Sequence, residues 1–452
     1  MKTNEHHYQN LIIGFGKGGK TLAAYLAKQG EKVAIVEKSE MMYGGSCINI
    51  ACIPTKSLIV NAEKKIPYAK AFQAKNDLTA FLRAKNFEKL DGLDLATVIT
   101  GEATFVSAHQ IKVKQRGNTP DLTITADRIF INTGSLPAIP EIPGLASSKK
   151  VFTSTSLLDQ AGLPDKLIII GAGFIGLEFA DMYAKFGAEV IVLNNSKEFL
   201  PKEDKDIADE MYEILSAKGI QIISGAQITQ VSDQQNNQVQ VSYRNVENKL
   251  VQINANAILL ATGRKPNIDH LDVDAAGVKL DKKGYVLVDE NLKTSQPHIW
   301  AIGDINGGPQ FTYISLDDFR IIRGQLFGGD YTSTSQRKQV AFSVFTSPPM
   351  SHIGLREEEA IEKGYQIKVV KLAAASIPRA RILNETQGLL KTIVDEKTNK
   401  IIGCTLLCVD SSEMINTVQL AMNADLDYQV LRDTIYTHPS MTEAFNDLYA
   451  LI

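Results

Sequence analysis

Two copies of one local pattern constrain the fold of this chain more than any other feature of its sequence. The first copy is residues 9–37, QNLIIGFGKGGKTLAAYLAKQGEKVAIVE, and the second is residues 166–194, KLIIIGAGFIGLEFADMYAKFGAEVIVLN. Each copy contains an apolar strand, a G-x-G-x-x-G turn, an amphipathic helix and a second apolar strand. This order is typical of a βαβ unit with a parallel sheet. The two copies therefore predict two Rossmann-like domains in an α/β protein.

The glycine turns indicate that both domains bind dinucleotides. Glycines at these positions let the backbone approach a pyrophosphate, which then sits at the N-terminus of the helix. A lone turn of this kind is a weak signal, but each turn here follows a strand and opens a helix, which strengthens the prediction. The glycines are Gly14, Gly16 and Gly19 in the first copy, and Gly171, Gly173 and Gly176 in the second.

The two copies differ at the position expected to bind a ribose hydroxyl, about 20 residues beyond the first glycine. In the first copy this position is Glu37, which suits a free 2′-OH, as in FAD or NAD. In the second copy the same spacing leads to Asn194, which carries no charge to repel a 2′-phosphate. Lys197 is close enough in sequence to attract such a phosphate. The second site is therefore predicted to prefer NADPH, with NADH left open.

Length and composition exclude several other classes of protein. A chain of 452 residues exceeds one ordinary core, so two to four domains are expected. The net charge of −3 and the absence of like-charge blocks argue against a nucleic-acid partner or an anionic membrane surface. No segment approaches the ~20 apolar residues that a membrane span needs. The first ten residues, MKTNEHHYQN, lack the apolar core of a signal peptide, so a cytoplasmic location is expected.

Only four cysteines occur, and they form two pairs with different surroundings. Cys47 and Cys52 lie in GGSCINIACIPTK, where a proline and a helix-like run follow the second cysteine. Cys52 is thus expected near a helix N-terminus, where the dipole would stabilise a thiolate. The alternative is that both cysteines are buried core thiols. A structural zinc site is disfavoured, because no histidine or further cysteine lies nearby at the spacing of zinc ligands. Cys404 and Cys408 lie in the apolar run IIGCTLLCV and are predicted to be buried.

The segment GGSCINIACIPTK resembles the active-site signature of the class I pyridine nucleotide–disulfide oxidoreductases, which include glutathione reductase, dihydrolipoyl dehydrogenase and mercuric reductase. Six further motifs follow the order of that family, from the first glycine turn to HPSMTE near the C-terminus. The resemblance implies an FAD domain, an inserted NAD(P) domain and a C-terminal α+β interface domain that builds a homodimer. The implied segments are 1–146 and 267–336 for FAD binding, 147–266 for NAD(P) binding and 337–452 for dimerisation.

The resemblance also implies the roles of individual residues. Cys52 would be the thiolate beside the flavin, and Cys47 the interchange thiol that meets the substrate. The base would be His438 of the partner subunit, held by Glu443, and Lys56 with Glu178 would form an ion pair near the flavin ring. FAD contacts are implied at Gly14, Gly16, Gly19, Glu37, Lys56, Ala103, Thr133, Gly134, Ser135, Asp304 and Thr312. Nicotinamide dinucleotide contacts are implied at Gly171, Gly173, Gly176, Asn194, Lys197 and Gly263.

Local details resemble one bacterial branch of the family, the reactive-chlorine-resistance and hypothiocyanous acid reductases. These details are GFGKGGKT in the first turn, Met-Tyr before the cysteine motif, and PQFTYISLDD after the Gly-Asp pair. No additional N-terminal metal-binding domain and no C-terminal cysteine pair is present, which disfavours mercuric reductase. The implied reaction is NAD(P)H-dependent reduction of hypothiocyanous acid through a Cys47–Cys52 disulfide. The alternatives are a dihydrolipoyl dehydrogenase, a copper(II) or other disulfide reductase, and a flavin-bearing sensor with little turnover.

Overall fold

The computed structural model describes residues 5–117 and 119–452. Its strands are β1 Glu5–Ile13, β2 Val33–Glu37, β3 Ala96–Thr100, β4 Glu102–Phe105, β5 Gln110–Lys114, β6 Leu122–Ile131, β7 Ser135–Pro137, β8 Val151–Thr153, β9 Lys166–Ile170, β10 Glu189–Asn194, β11 Gln221–Ser224, β12 Gln227–Asp233, β13 Val239–Arg244, β14 Leu250–Ala255, β15 Ala257–Leu260, β16 Arg264–Pro266, β17 Ile299–Ala301, β18 Phe342–Val344, β19 Met350–Gly354, β20 Ile367–Ala373, β21 Leu389–Asp395 and β22 Ile401–Leu407. Its α-helices are α1 Lys17–Lys28, α2 Ser46–Asn49, α3 Cys52–Glu63, α4 Tyr68–Asp91, α5 Ser154–Leu158, α6 Phe174–Phe186, α7 Lys205–Ala217, α8 Thr312–Phe327, α9 Glu357–Glu362, α10 Pro378–Leu383, α11 Ser411–Asn423, α12 Tyr428–Asp433 and α13 Ala444–Ala450. Within the described ranges, every helix is too short or too polar to cross a membrane.

The chain forms two compact units, each assembled from separate stretches of sequence. The first unit contains residues up to 60, 69–138 and 263–337. The second unit contains residues 61–68, 139–262 and 338–452. The predicted boundaries of the four domain segments stay a prediction.

The first unit is built on a seven-stranded sheet in the order β3-β2-β1-β6-β5-β4, with β17 also paired to β6. Strands β3, β2, β1, β6 and β17 run parallel, whereas β4 and β5 are antiparallel. Successive residues of β1 point to opposite faces, so Leu11 and Ile13 join one core cluster and Ile12 joins the other. Helices α1 and α8 supply apolar side chains, such as Leu22 and Phe319, to the cluster around Ile12.

The second unit contains three sheets. A five-stranded parallel sheet has the order β11-β10-β9-β15-β8, and a three-stranded antiparallel sheet has the order β12-β13-β14. The C-terminal part adds an antiparallel sheet in the order β18-β19-β22-β21-β20, with its own helices. The predicted fold class is thus confirmed: two Rossmann-like sheets and a C-terminal α+β part.

The two predicted βαβ units have the same topology. The first βαβ unit consists of β1, α1 and β2, and its strands lie in a sheet with the order β3-β2-β1-β6. The second βαβ unit consists of β9, α6 and β10, and its strands lie in a sheet with the order β11-β10-β9-β15. Helix α6 ends at Gly187, whose φ of +105° is the left-handed conformation that terminates many helices. The repeat seen in the sequence is therefore a repeat of three-dimensional structure.

Candidate active site

The two glycine turns have matching backbone geometry. Gly14 has a φ of +102°, and a Cβ atom there would lie 2.3 Å from the carbonyl oxygen of Asn132. Gly171 has a φ of +110°, and a Cβ atom there would lie 2.4 Å from the carbonyl oxygen of Ala261. In each unit the second glycine of the turn directly precedes the helix. Each turn therefore brings glycine backbone to the N-terminus of a helix, which is an anion-binding arrangement. In the first turn the N–H groups of Gly18 and Gly19 already donate to Ser315 and Asn132.

Glu37, the predicted ribose-binding residue, closes β2 beside the first glycine turn. It is buried, and its carboxylate accepts hydrogen bonds from the N–H groups of Phe15 at 3.0 Å and Ser39 at 3.3 Å. Burial is the main cause that raises the pKa of this carboxyl above its ordinary value. The bond to Phe15 holds the carboxylate at the turn itself, where a ribose next to the pyrophosphate would lie.

Asn194 occupies the equivalent end of β10 in the second unit. It is buried, its Oδ1 accepts from the N–H of Ser196 at 3.3 Å, and its amide donates to the carbonyl oxygen of Glu198 at 2.9 Å. Lys197 lies in this loop and is exposed. The acidic group of the first turn is therefore replaced by a neutral amide with a lysine nearby.

Cys47 and Cys52 contact each other at the start of a helix. Cys47 lies in the short helix α2 and is half-buried, while Cys52 is the first residue of α3 and is exposed. Both are free thiols, and the Oγ1 of Thr312 lies 3.8 Å from the Sγ of Cys52. A hydrogen bond to Cys52, and then burial, raise the pKa of the Cys47 thiol. The predicted helix start at Cys52 is confirmed, and the hydrogen bond and burial favour the protonated form of Cys47.

Three polar side chains hold the backbone that precedes Cys47. Asn49 donates from its amide to the carbonyl oxygens of Tyr43 and Gly45, both at 3.0 Å. Arg83 donates from Nε to Oδ1 of Asn49 at 2.8 Å. The third side chain, Lys20, donates to the next carbonyl, that of Gly44, at 3.0 Å. The cysteine segment is thus fixed by α1 and α4, through residues that the sequence analysis did not identify.

Ser135 joins three motifs that are far apart in the sequence. Its hydroxyl donates to Oδ2 of Asp304 at 2.6 Å. Arg264 donates from Nε to the Ser135 hydroxyl and from Nη2 to the Ser135 carbonyl, each at 2.7 Å. The strands β7 and β16 pair at the same place. The T-G-S motif at 133–135, the A-T-G-R motif at 261–264 and the Gly-Asp pair at 303–304 are therefore joined by hydrogen bonds through Ser135.

Several atoms in this part of the molecule fit a bound dinucleotide. The hydroxyl of Thr133 is buried and, among the described residues, has no hydrogen-bond partner. Buried hydroxyl groups normally have a partner, so a ligand atom is a suitable one. Gly134 has a φ of +73°, and Ala103 is buried in β4. The orphaned Thr133 hydroxyl, the glycine turn and buried Glu37 together fit FAD in the first unit.

The remaining predicted residues of the thiol and flavin region lie on separate elements. Lys56 is half-buried on α3, in the first unit. Glu178 is buried on α6, in the second unit, and accepts from the N–H of Phe345 at 2.9 Å. Gly263 is exposed, and its carbonyl oxygen accepts from the N–H of Ala138 at 2.9 Å. The ion pair implied for Lys56 and Glu178 stays a prediction.

His438 and Glu443 form a hydrogen-bonded pair in the second unit. Nδ1 of the exposed His438 lies 2.8 Å from Oε2 of Glu443, whose other oxygen accepts from the N–H of Ser440 at 3.0 Å. Burial acts to raise the pKa of Glu443, but the hydrogen bonds from His438 and Ser440 outweigh it and lower the pKa. Glu443 is thus ionised and orients the imidazole, leaving Nε2 available for proton transfer.

Cys404 and Cys408 lie in and just beyond β22, as the apolar pattern predicts. Both are buried, and burial raises the pKa of Cys404 to about 12 and that of Cys408 still further. Such thiols are poor nucleophiles because they stay protonated. They form part of the C-terminal core and take no part in the candidate site.

Residues 8–318 match the pyridine nucleotide-disulphide oxidoreductase family, and residues 340–449 match the dimerisation domain of that family. Among curated proteins, the chain is 48% identical to the probable pyridine nucleotide-disulfide oxidoreductase RclA of Escherichia coli, over 98% of this chain and 99% of the relative. It is 33% identical to a mercuric reductase of Staphylococcus aureus, over 96% and 81% of the two chains. It is 31% identical to the dihydrolipoyl dehydrogenase of Geobacillus stearothermophilus, over 96% and 94%.

A solved structure gives the same result. The Cu(II) complex of the HOCl-induced flavoprotein disulfide reductase RclA from Escherichia coli superposes with a TM-score of 0.95 at 47% identity, over 99% of this chain and 100% of the other. The match covers both glycine turns and the cysteine segment, so the site described above lies wholly within it. The chain belongs to the pyridine nucleotide-disulphide oxidoreductase family.

Proposed function

We propose that this protein is an FAD-dependent NAD(P)H oxidoreductase that reduces hypothiocyanous acid through a Cys47–Cys52 disulfide, and so protects the cell from oxidative stress. Family membership implies FAD and a nicotinamide nucleotide as cofactors. The observation that carries the proposal is the contact between two free thiols at the start of α3. The similarity to the HOCl-induced reductase RclA supports a small oxidant as the substrate.

The two thiols are expected to have different roles. Cys52 opens α3, where the partial positive charge of the helix N-terminus stabilises a thiolate. The hydrogen bond from Cys47 would stabilise the same thiolate, which is why the pKa of Cys47 rises. Cys47 is therefore the thiol that needs a base before it can attack. We therefore assign Cys52 as the thiolate beside the flavin and Cys47 as the thiol that attacks the oxidant.

His438 of the partner subunit is the proposed base. Its imidazole is oriented by Glu443, and it is exposed, so it can be presented to a second chain. The C-terminal match to a dimerisation domain supports a homodimer in which each site uses residues of both chains. The imidazole would take the proton of Cys47 and return it to the leaving hydroxide.

The chemistry balances with two thiols and one oxidant. The Cys47 thiolate attacks the sulfur of hypothiocyanous acid, forms a sulfenyl thiocyanate and releases hydroxide, which the imidazolium protonates to water. The Cys52 thiolate then attacks the Cys47 sulfur, forms the disulfide and releases thiocyanate. FAD, when bound, supplies the two electrons that reduce this disulfide, drawn from the nicotinamide. One NADPH and one hypothiocyanous acid give NADP⁺, thiocyanate and water.

NADPH is the proposed electron donor. Asn194 stands where the first unit has the buried carboxylate of Glu37, so no negative charge faces a 2′-phosphate. The exposed Lys197 lies three residues further on and can pair with such a phosphate. Gly171, Gly173 and Gly176 would hold the pyrophosphate.

An NADPH-oxidation assay on the purified flavoprotein tests the proposal. Hypothiocyanite is expected to drive NADPH oxidation, and Cys47→Ser is expected to abolish it while the flavin stays bound and reducible by NADPH. Cys404→Ala, which removes a buried thiol from the C-terminal sheet, serves as the matched control and is expected to stay active. Full activity of Cys47→Ser would rule out the thiol mechanism.

Copper(II) is a second candidate substrate, because the structurally similar reductase was solved as a Cu(II) complex. The same assay with copper(II), lipoamide and oxidised glutathione compares the alternatives. Fast turnover with lipoamide and none with hypothiocyanite would identify a dihydrolipoyl dehydrogenase activity instead. Flavin reduction by NADPH without turnover of any of the four compounds would identify a sensor.

A further inference from the structure

We propose that a groove lined with lysines on the first unit binds a small phosphate-bearing anion at a site separate from both cofactor sites. The groove lies between α1, α4 and α8 and encloses about 240 Å³. Lys17, Lys20 and Lys28 of α1 and Lys89 of α4 line it, with Leu90 and Phe319 among its apolar residues. We call this feature the lysine groove.

The lysine groove has a concentrated positive charge that the described residues do not neutralise. Among the residues that the structure describes, no acidic side chain lines it. Within the described ranges, the ammonium groups of Lys17, Lys28 and Lys89 make neither an ion pair nor a hydrogen bond. Like charges brought together repel one another, and the repulsion is stronger beside low-dielectric walls such as Leu90 and Phe319. A multivalent anion would remove this repulsion, and phosphate is the anion that lysine commonly binds.

Lys20 links the lysine groove to the cysteine segment. Its ammonium donates to the carbonyl oxygen of Gly44 at 3.0 Å and to Oδ1 of Asn86 at 2.6 Å. Burial, and next the charge of Lys17, lower the pKa of Lys20 to about 8, with a smaller contribution from Lys89. An anion in the groove would offset the repulsion from these two lysines and keep Lys20 protonated.

The lysine groove lies on the side of α1 opposite Gly18 and Gly19. Gly18 and Gly19 pack against Ser315 and Asn132, on the side of α1 that faces the sheet. The groove lysines of α1 recur at intervals that place them on the opposite side of the helix. A pyrophosphate bound at the backbone of the turn would therefore leave Lys28 and Lys89 available to a second anion. The nicotinamide turn belongs to the second unit.

Isothermal titration of the FAD-bound protein with inorganic pyrophosphate tests the proposal without any oxidant or turnover. We expect a binding event at the lysine groove that weakens as salt is added. Lys89→Met and Lys28→Met should each weaken it by about tenfold, because each removes one charge-assisted contact. Lys85→Met is the matched control, since Lys85 lies on the same helix, outside the groove, and pairs with Glu88. Flavin content and melting temperature confirm that the variants are folded.

A fourth variant separates this site from the proposed nicotinamide site. Lys197→Met should leave pyrophosphate binding at the lysine groove unchanged, while lowering the affinity for NADPH. Binding that is lost in Lys197→Met and kept in Lys89→Met would place the anion at the nicotinamide site and overturn the proposal. The absence of any binding to the wild-type protein, or equal weakening by Lys85→Met and Lys89→Met, would also overturn it. None of these outcomes depends on the identity of the oxidant.

Discussion

Arg83 donates a hydrogen bond from Nε to Oδ1 of Asn49 at 2.8 Å, and so fixes a side chain that lies between the two cysteines in sequence. Asn49 in turn holds the carbonyl oxygens of Tyr43 and Gly45. The guanidinium of α4 therefore controls the orientation of the amide, and the amide controls the backbone that leads to Cys47. We therefore expect the reactivity of the thiol pair to depend on these two residues, which act through the backbone.

Replacement of Asn49 by Leu should lower kcat with the oxidant by about tenfold or more, because small displacements of reacting groups reduce rates strongly. Two carbonyl oxygens lose their donor and Arg83 loses its acceptor. Steady-state kinetics and the rate of thiol alkylation would measure the effect. Arg83→Met should have a smaller effect in the same direction, since Asn49 keeps its own donors. Wild-type kcat in Asn49→Leu would contradict this role.

His438→Gln should lower kcat/KM by about a hundredfold or more, as expected for loss of an acid–base group. Glu443→Gln should lower it less, because the imidazole remains but loses its orienting carboxylate. His7→Gln, at an exposed surface histidine, is the control.

Co-expression of Cys47→Ser and His438→Gln chains tests whether the base comes from the partner subunit. Each mixed dimer would then contain one site with both groups intact. Random pairing should restore about a quarter of wild-type activity, far more than either variant alone retains. No recovery in the mixed sample would place the thiol and the base in the same chain.

Asn194→Glu should lower the ratio of kcat/KM for NADPH to that for NADH, because a carboxylate would repel the 2′-phosphate. The fold should accept the change, because a glutamate, Glu37, already occupies the equivalent position of the first unit. The Glu37 carboxylate accepts a hydrogen bond from the N–H of Ser39, and the Asn194 amide oxygen accepts one from the N–H of Ser196 in the same way. Lys197→Met should weaken NADPH alone, with the exposed Lys202→Met as its control. An unchanged ratio would show that Asn194 is not at the ribose.

Lys391→Met should destabilise the second unit by about 3 kcal/mol or more, because breaking a buried ion pair leaves uncompensated charges. The side chain of Lys391 is 2% exposed, and its ammonium lies within 3.1 Å of carboxylate oxygens of Asp204, Asp206 and Glu357. The apparent melting temperature near neutral pH measures the loss. Lys205→Met, which removes an exposed pair with Asp209, should change it little.

The same cluster predicts a dependence on pH. Burial acts to raise the pKa of Asp206, but hydrogen bonds from Lys371 and Lys391 outweigh it and lower the pKa. Because the folded-state pKa lies below the unfolded value, this stabilisation is complete above the ordinary aspartate pKa of about 4. It is lost as the pH falls through the lower folded-state value. Lowering the pH through this range should therefore reduce the free energy of unfolding of Lys391→Met by less than it reduces that of the wild type.

The parts of the site that could be predicted from sequence are those set by local geometry. A βαβ unit fixes the spacing from Gly14 to Glu37, and the same spacing identified Asn194. The helix start at Cys52 follows from the proline two residues later. Burial of Cys404, which was predicted from its apolar run, is confirmed.

The contacts that could not be predicted join distant segments. Ser135 and Asp304 are 169 residues apart, and Ser135 and Arg264 are 129 apart, so no local pattern relates them. Arg83 also lies on a helix with no visible motif, and only the fold brings it to Asn49. Asn49 itself is marked in the sequence, because it is a polar residue within the otherwise apolar stretch INIACIP.

The first unit is interrupted in sequence, and this has a consequence for its synthesis. Strand β17 pairs with β6, the carbonyl oxygen of Ile302 accepts from the Asn132 amide, and Ser315 accepts from the N–H of Gly18. A ribosome that adds about 5–20 residues per second needs roughly ten to thirty seconds to pass from residue 138 to residue 299. During that time the sheet lacks β17 and the apolar side chains that α8 adds to the cluster around Ile12. The glycine turn that is translated first is thus among the last parts of the protein to be completed.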